Sequence, residues 1–124
     1  MLYDPQLFLE RPVLRSALDL ADPGPNERLL DIATGTAGLL RELAPRTARP
    51  SVAIGVDRSP SMLAGAPVLP SGWRLLAADA ERLPFTDGRF DVVTMAYLLH
   101  LLTRAGRGRV LREAARVLRP RDTV

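Results

Sequence analysis

The sequence predicts an α/β domain built on an open, doubly wound parallel sheet. Several short runs are apolar almost throughout, as strands buried on both faces of a parallel sheet are. Stretches with the helical spacing of apolar residues lie between these runs. Three runs end in, or just before, an aspartate: Asp31, Asp57 and Asp79. Ligands of such sheets bind outside the carboxyl ends of the strands, so the three acids are expected around one crevice. For each acid alone, capping of the following helix is the alternative.

The composition is that of one domain of 124 residues, 47% of them hydrophobic. All 17 basic residues are arginine, and they are spread from Arg11 to Arg121, which gives little support to nucleic-acid binding. The chain has no cysteine, so disulfides and thiolate metal sites are excluded, and no metal site is expected. No run approaches the roughly 20 apolar residues of a membrane span, and residues 1–10 do not resemble a signal peptide. The expectation is a cytoplasmic protein without a membrane contact.

The predicted elements fall into two regions. Residues 1–27 form a lead-in with a helix that begins near Pro12 and ends before a turn at 22–26. Residues 28–124 form the core of the domain. Strands are predicted in this core at 28–33, 51–57, 73–78 and 90–96. Helices are predicted there from 39 to 44, from 61 to 66 and from 104 to 118.

The turn at residues 33–38 consists of alanine, threonine and glycine. Such small residues let the backbone approach a ligand closely, and the helix that follows offers free N–H groups beside it. Asp31, just before the turn, would repel a pyrophosphate but attract a cationic ligand. That acid and the absence of a Gly-x-Gly-x-x-Gly run disfavour a nicotinamide-dependent oxidoreductase. The turn is interpreted as a cradle for a nucleoside-bearing, positively charged cofactor.

Four motifs in order resemble those of the class I S-adenosylmethionine-dependent methyltransferases, in particular their ubiquinone-biosynthesis-like branch. They lie at residues 30–37, 55–63 and 78–85 followed by 90–93, and the helix at 112–120 is similar to the one that leads into the family's fifth strand. The resemblance covers about residues 28–120. It implies a Rossmann-like sheet with the strand order 3-2-1-4. It also implies methyl transfer from S-adenosyl-L-methionine to a small-molecule acceptor.

The resemblance also implies cofactor-binding roles for individual residues. Asp31 would lie near the ammonium group of the cofactor, and Asp57 would accept hydrogen bonds from both ribose hydroxyls. Asp79 would accept one from the adenine amino group, and the backbone N–H of Ala80 would meet the ring. Met62 would pack on the adenine, with a place in the core as its alternative. The remaining members of the implied cofactor site are Ala33, Gly35, Thr36 and Arg58.

Methyl transfer asks little of side chains, because positioning and charge complementarity supply most of the acceleration. His100 and Tyr97 follow the fourth predicted strand and are the candidate catalytic residues. His100 could act as a general base where the acceptor must lose a proton. A packed or capping role is the alternative for His100, and contact with the substrate is the milder role for Tyr97.

The sequence departs from the family's pattern at two places. Ala37 stands where the family usually has glycine, and a Cβ there costs energy if the position needs a positive φ. The family's last three strands have no counterpart after Pro120, so the fold is expected to be partial and the fourth strand to be an exposed edge. Two interpretations are open: the chain is a fragment or a truncated gene product, or self-association or a partner chain covers that strand. A non-catalytic, truncated binding module that needs a partner chain is the alternative function.

The last predicted helix is rich in arginine. These side chains are interpreted as a solvated helix face, with a docking surface for an acidic partner as the alternative. They are Arg104, Arg107, Arg109, Arg112, Arg116 and Arg119.

Overall fold

The computed structural model describes residues 7–8, 24–33, 37–65, 68–95 and 103–120. The strands within these ranges are β1 (Leu7–Phe8), β2 (Arg28–Ile32), β3 (Val52–Asp57), β4 (Trp73–Ala77) and β5 (Val92–Met95). The helices are α1 (Gly38–Leu43), α2 (Pro60–Ala64) and α3 (Arg104–Val117). The helix predicted at the start of the chain lies outside the described residues.

The strands form one sheet in the order β1-β5-β2-β3-β4, and every pairing is parallel. The four strands predicted from the sequence are β2, β3, β4 and β5, each found within two residues of its predicted bounds. Their spatial order, 3-2-1-4 in the numbering of the prediction, is confirmed. The central strand β2 pairs along its length with β3 on one side and with β5 on the other.

The prediction that the fourth strand is an edge of the sheet is wrong. Leu7 pairs with Val93 and Phe8 pairs with Thr94, so β1 lies outside β5 in the described sheet. A strand of two residues is too short to leave a periodic signal in the sequence, which is why the prediction missed it. β1 covers half of the outer side of β5, a strand of four residues.

Two apolar clusters cover the two faces of the sheet, as the doubly wound prediction requires. One face packs against α3 through Val110, Ala114 and Val117. The other face packs against α1 through Leu39, Leu40 and Leu43. Because side chains alternate along a strand, β2 contributes Leu30 and Ile32 to the α3 face and Leu29 to the α1 face.

α3 is the longest described helix. It begins after Thr103, whose hydroxyl accepts a hydrogen bond from the N–H of Gly106 at 3.0 Å, a standard N-cap. It ends where Leu118 turns to an extended conformation and forms a parallel bridge with Phe90. None of the described helices is both long and apolar enough to cross a membrane.

Candidate functional site: the carboxyl edge of the sheet

The topology brings Asp31, Asp57 and Asp79 to the same end of three adjacent strands. Asp31 is in register with Gly55 of β3, and Asp57 pairs with Ala77 of β4. The N–H of Ala78 donates to the carbonyl oxygen of Asp57 at 3.0 Å, so the segments that follow β3 and β4 are tied together. We call this end of the sheet, with the turns that follow β2, β3 and β4, the carboxyl edge.

Asp31 is buried, with 4% of its surface exposed, on the α1 side of β2. Thr94 of the neighbouring strand donates its hydroxyl hydrogen to Oδ1 of Asp31 at 2.8 Å. The same hydroxyl lies 3.5 Å from the carbonyl oxygen of Leu30. A buried carboxylate needs such partners because losing its hydration is costly. Asp31 is therefore held in place before the turn, and its role beside a cofactor stays a prediction.

The turn after β2 is built on two alanines in the left-handed conformation. Ala33 has a φ of 59° and Ala37 a φ of 64°. A Cβ in this region costs roughly 1–2 kcal/mol, which is why glycine usually occupies it. The suspicion that Ala37 needs a positive φ is confirmed, and Ala33 needs one as well. Gly35 and Thr36, which the sequence assigns to the cofactor, lie outside the described residues.

Asp57 is the last residue of β3 and is half-buried. Its Oδ1 accepts a hydrogen bond from the N–H of Ser59 at 2.9 Å, which shapes the turn into α2. This hydrogen bond lies in the turn before α2, which begins at Pro60, so it does not test the capping alternative for Asp57. Arg58, beside it, is exposed at the carboxyl edge. Met62 lies in α2, and its side chain lies outside the described part of the structure.

Asp79 follows β4 in a tight turn. Its Oδ1 accepts from the N–H of Glu81 at 2.9 Å, and its carbonyl oxygen accepts from the N–H of Arg82 at 3.0 Å. Among the described residues, Glu81 is the one hydrogen-bond partner of the Asp79 carboxylate, which is exposed. Ala80 is half-buried and packs against the cluster on the α3 face. The turn therefore holds an acceptor at the surface beside a small apolar residue.

Sequence reasoning missed the residues that hold this turn from behind. Arg109 of α3 forms an ion pair with Glu81, and Glu113 accepts a hydrogen bond from the N–H of Leu83 at 2.8 Å. Arg116 contacts the same stretch of chain. The interpretation of the helix arginines as a solvated face is therefore wrong for Arg116. The available signal was the Glu-x-x-Arg spacing of residues 113 and 116, which permits an ion pair within one turn of helix.

Arg116 and Glu113 also alter each other's protonation. The guanidinium of Arg116 holds the pKa of the Glu113 carboxyl below its ordinary value, and the hydrogen bond from the N–H of Leu83 adds to this, while burial opposes it. The pKa of Arg116 is raised, first by its hydrogen bonds with Glu113 and then by those with Asp87. Both groups are charged at neutral pH.

The two candidate catalytic residues, Tyr97 and His100, lie outside the described residues, and their roles stay predictions. Within the described ranges, no group of three or more His, Cys, Asp or Glu side chains could hold a metal ion. The aspartates of the described part of the carboxyl edge supply hydrogen-bond acceptors and negative charge, and Arg58 beside them supplies a positive charge.

A family model described as a methyltransferase domain matches residues 29–121. The demethylmenaquinone methyltransferase of Beutenbergia cavernae is 36% identical over 114 residues, which are 92% of this chain and 45% of that protein. The demethylmenaquinone methyltransferase of Thermus thermophilus is 44% identical over 87 residues, 67% of this chain and 39% of that protein.

A solved structure shows the same architecture. The S-adenosylmethionine-dependent methyltransferase of Mesorhizobium loti superposes with a TM-score of 0.69 at 26% identity, over 88% of this chain and 48% of that one. The chain thus spans less than half the length of these relatives. The family model covers all three strand-end aspartates and the turns that follow them. This chain belongs to the family of methyltransferase domains, which confirms the resemblance that its sequence motifs carry.

Proposed function

We propose that this chain binds S-adenosyl-L-methionine at the carboxyl edge, and that the protein transfers the methyl group to a small-molecule acceptor. The observation that carries the proposal is the placement of Asp31, Asp57 and Asp79 at one end of adjacent parallel strands, in a chain of the methyltransferase family. The relatives named for demethylmenaquinone support an acceptor of the quinone type.

The residues present fit the cofactor in charge and in hydrogen bonding. S-adenosylmethionine carries a sulfonium and an ammonium group, and the carboxyl edge carries three carboxylates, of which Asp79 is exposed. Ribose hydroxyls and the adenine amino group are donors, and carboxylate oxygens accept from them. At the two described positions of the turn after β2, Ala33 and Ala37, the side chains are no larger than a methyl group, which lets a ligand approach the backbone closely.

When bound, the cofactor supplies an electrophilic methyl group on its sulfonium sulfur. The residues of this chain would bind the cofactor and orient it. Asp57 would fix the ribose and Asp79 the base, so that the methyl group is held at one position relative to the acceptor. Asp31, anchored by Thr94, would add a fixed negative charge near the ammonium group. Proton removal from an acceptor would fall to His100, and Tyr97 would contact the acceptor.

Calorimetric titration with S-adenosylhomocysteine tests the cofactor site. The sharpest variant is Asp57→Asn, because the amide oxygen still accepts from Ser59 while the other acceptor becomes a donor. Losing a charged hydrogen bond costs about 1.5–3 kcal/mol, so binding should weaken by roughly 10- to 150-fold. Asp91→Asn is the matched control, since Asp91 also accepts from a backbone N–H, that of Arg28, but at the opposite end of the strands.

A folded chain that does not bind S-adenosylhomocysteine would refute the proposal. Equal weakening by Asp57→Asn and Asp91→Asn would place the ligand elsewhere. A transfer assay with a demethylated quinone then tests the acceptor separately. A cytoplasmic location, self-association and a partner chain stay predictions from the sequence.

A further inference from the structure

α3 presents a row of charged side chains along one edge, at positions 109, 113 and 116. We call Arg109, Glu113 and Arg116 the α3 edge. The spacings of four and three residues place them on one side of the helix. The α3 edge faces the chain that runs from the Asp79 turn toward β5. It is separate from the buried side of the helix, which packs on the sheet.

The α3 edge holds every second residue of the segment 81–87. Arg109 pairs with the Glu81 carboxylate. Glu113 accepts from the N–H of Leu83. Arg116 reaches the remaining points of contact. These are the carbonyl oxygens of Leu83 and Phe85, at 3.1 and 2.8 Å, and Oδ1 of Asp87, at 2.8 Å.

Arg116 uses all of its hydrogen-bonding capacity in this arrangement. A guanidinium has five N–H donors, and the structure gives Arg116 five hydrogen bonds. Two of them go to Glu113, at 2.6 and 3.0 Å, and three go to the segment 81–87. Lysine has three donors on a single nitrogen and cannot reproduce this planar set.

The segment is in turn connected to the acceptor at the carboxyl edge. The N–H of Glu81 donates to the Asp79 carboxylate, so the position of Glu81 sets the orientation of that carboxylate. Leu83 is buried in the cluster on the α3 face, and Ala80 packs against the same cluster. The Asp79 turn is therefore held by apolar packing on one side and by the α3 edge at the residues that follow it.

We propose that Arg116 is a positioning residue that, with Glu113, fixes the segment 81–87 and thereby aims the Asp79 carboxylate at the exocyclic amino group of the adenine ring. The inference rests on the proposed function. Arg116 does not contact the ligand. Its contribution is selectivity for the base, because a fixed carboxylate accepts from an amino group and repels a carbonyl oxygen at the same place. A carboxylate on a loosened turn can move away from the carbonyl.

The test compares two ligands that differ at the amino group and at the adjacent ring nitrogen N1, which carries a hydrogen in the oxo form. The chain is titrated with S-adenosylhomocysteine and with S-inosylhomocysteine, in which a carbonyl oxygen replaces the amino group. Arg116→Lys keeps the charge and removes the planar donor set, and Arg112→Lys on the exposed side of the same helix is the matched control. The wild-type chain should bind S-adenosylhomocysteine more tightly than S-inosylhomocysteine. We expect Arg116→Lys to lower this affinity ratio about tenfold or more, because an oriented charged hydrogen bond to the amino group is lost. We expect the ratio to be unchanged in Arg112→Lys.

If Arg116 had a purely structural role, Arg116→Lys would lower the affinity for both ligands equally and leave their ratio unchanged. That result would overturn the inference. If the wild-type chain does not bind S-adenosylhomocysteine, the proposed function itself fails, which is a different outcome. If Arg116→Lys does not fold, Asp87→Ala carries the test, since it removes one contact of Arg116 at a side chain that is 83% exposed. A lower ratio in Asp87→Ala supports the inference, and an unchanged ratio refutes it.

Discussion

Thr94 donates its hydroxyl hydrogen to Oδ1 of Asp31 across two strands that pair in register, at a distance of 2.8 Å. Both side chains are buried, with 1% and 4% of their surfaces exposed. A carboxylate in such a place is stable only with hydrogen-bond partners, and Thr94 is one of them. The negative charge at the end of the central strand therefore depends on a residue of β5, which no motif of the sequence singles out.

Replacing Thr94 by valine tests that dependence. The variant keeps the shape and removes the hydroxyl, so the carboxylate of Asp31 loses a charged hydrogen bond, at a cost of about 1.5–3 kcal/mol. Urea denaturation measures the free energy of unfolding. Thr86→Val, at an exposed position, is the control and should change the free energy by less than about 0.5 kcal/mol. Equal effects of the two variants would contradict the assignment.

The left-handed alanines predict an unusual response to glycine. Ala33→Gly removes a conformational penalty of about 1–2 kcal/mol from the folded chain. Glycine also gives the unfolded chain more conformational freedom, which opposes folding by a similar amount. The free energy of unfolding should therefore stay nearly the same or increase. Ala115→Gly, at an exposed position of α3, should destabilise by about 1 kcal/mol. Denaturation curves of the two variants measure the contrast. A loss at Ala33 as large as that at Ala115 would show that the positive φ carries no strain.

At Gly72, replacing glycine by alanine should destabilise the folded chain. Its φ is 87°, and a Cβ there would lie 2.7 Å from the carbonyl oxygen of Ser51, a backbone atom that cannot move aside cheaply. Gly72→Ala should destabilise by about 2 kcal/mol or more. Gly108→Ala is the matched variant, since its Cβ would meet only the flexible end of Arg112, and it should stabilise α3 by up to about 1 kcal/mol. Thermal unfolding of both variants should show shifts of opposite sign.

The lowered pKa of Glu113 predicts a pH-dependent contribution to stability. The carboxylate stabilises the folded chain above its unfolded pKa, near 4.5, and the contribution is lost as the pH falls through the lower folded value. Glu113→Gln should therefore destabilise by about 1–3 kcal/mol at pH 7. The difference in the free energy of unfolding between the wild type and Glu113→Gln should decrease below about pH 4.5. A gap that stays constant from pH 7 to pH 3 in urea titrations would contradict this.

The strands of the sheet could be predicted because the signals that mark them lie within a few consecutive residues. Buried parallel strands are continuous apolar runs, and the acids that end them, such as Asp31 and Asp57, stand within the same few residues of sequence. The fold class and the helix α3 followed from these patterns, whereas the strand order came only from the resemblance to the methyltransferase family. The concern over Ala37 could be raised for the same reason, because the conformational cost of a Cβ belongs to a single residue.

The parts that sequence reasoning missed depend on distant partners. The five hydrogen bonds of Arg116 reach residues 29 to 33 positions away as well as Glu113 on its own helix, and the Glu-x-x-Arg spacing in the sequence signals only the contact with Glu113. The pairing of Leu7 with Val93 has no local signal either, since two residues show no period. Tertiary contacts of this kind become visible only in three dimensions.

The pairing of β2 with β5 also sets an order for folding during synthesis. Asp31 and Thr94 meet across 63 residues of sequence, whereas β3 can pair with β2, and β4 with β3, while the chain is still emerging from the ribosome. Until Val92–Met95 has been made, one side of the central strand has no partner, and the apolar face that α3 will cover is open. A nascent chain paused before that point presents a chaperone with an unpaired, hydrophobic strand at the middle of its future core.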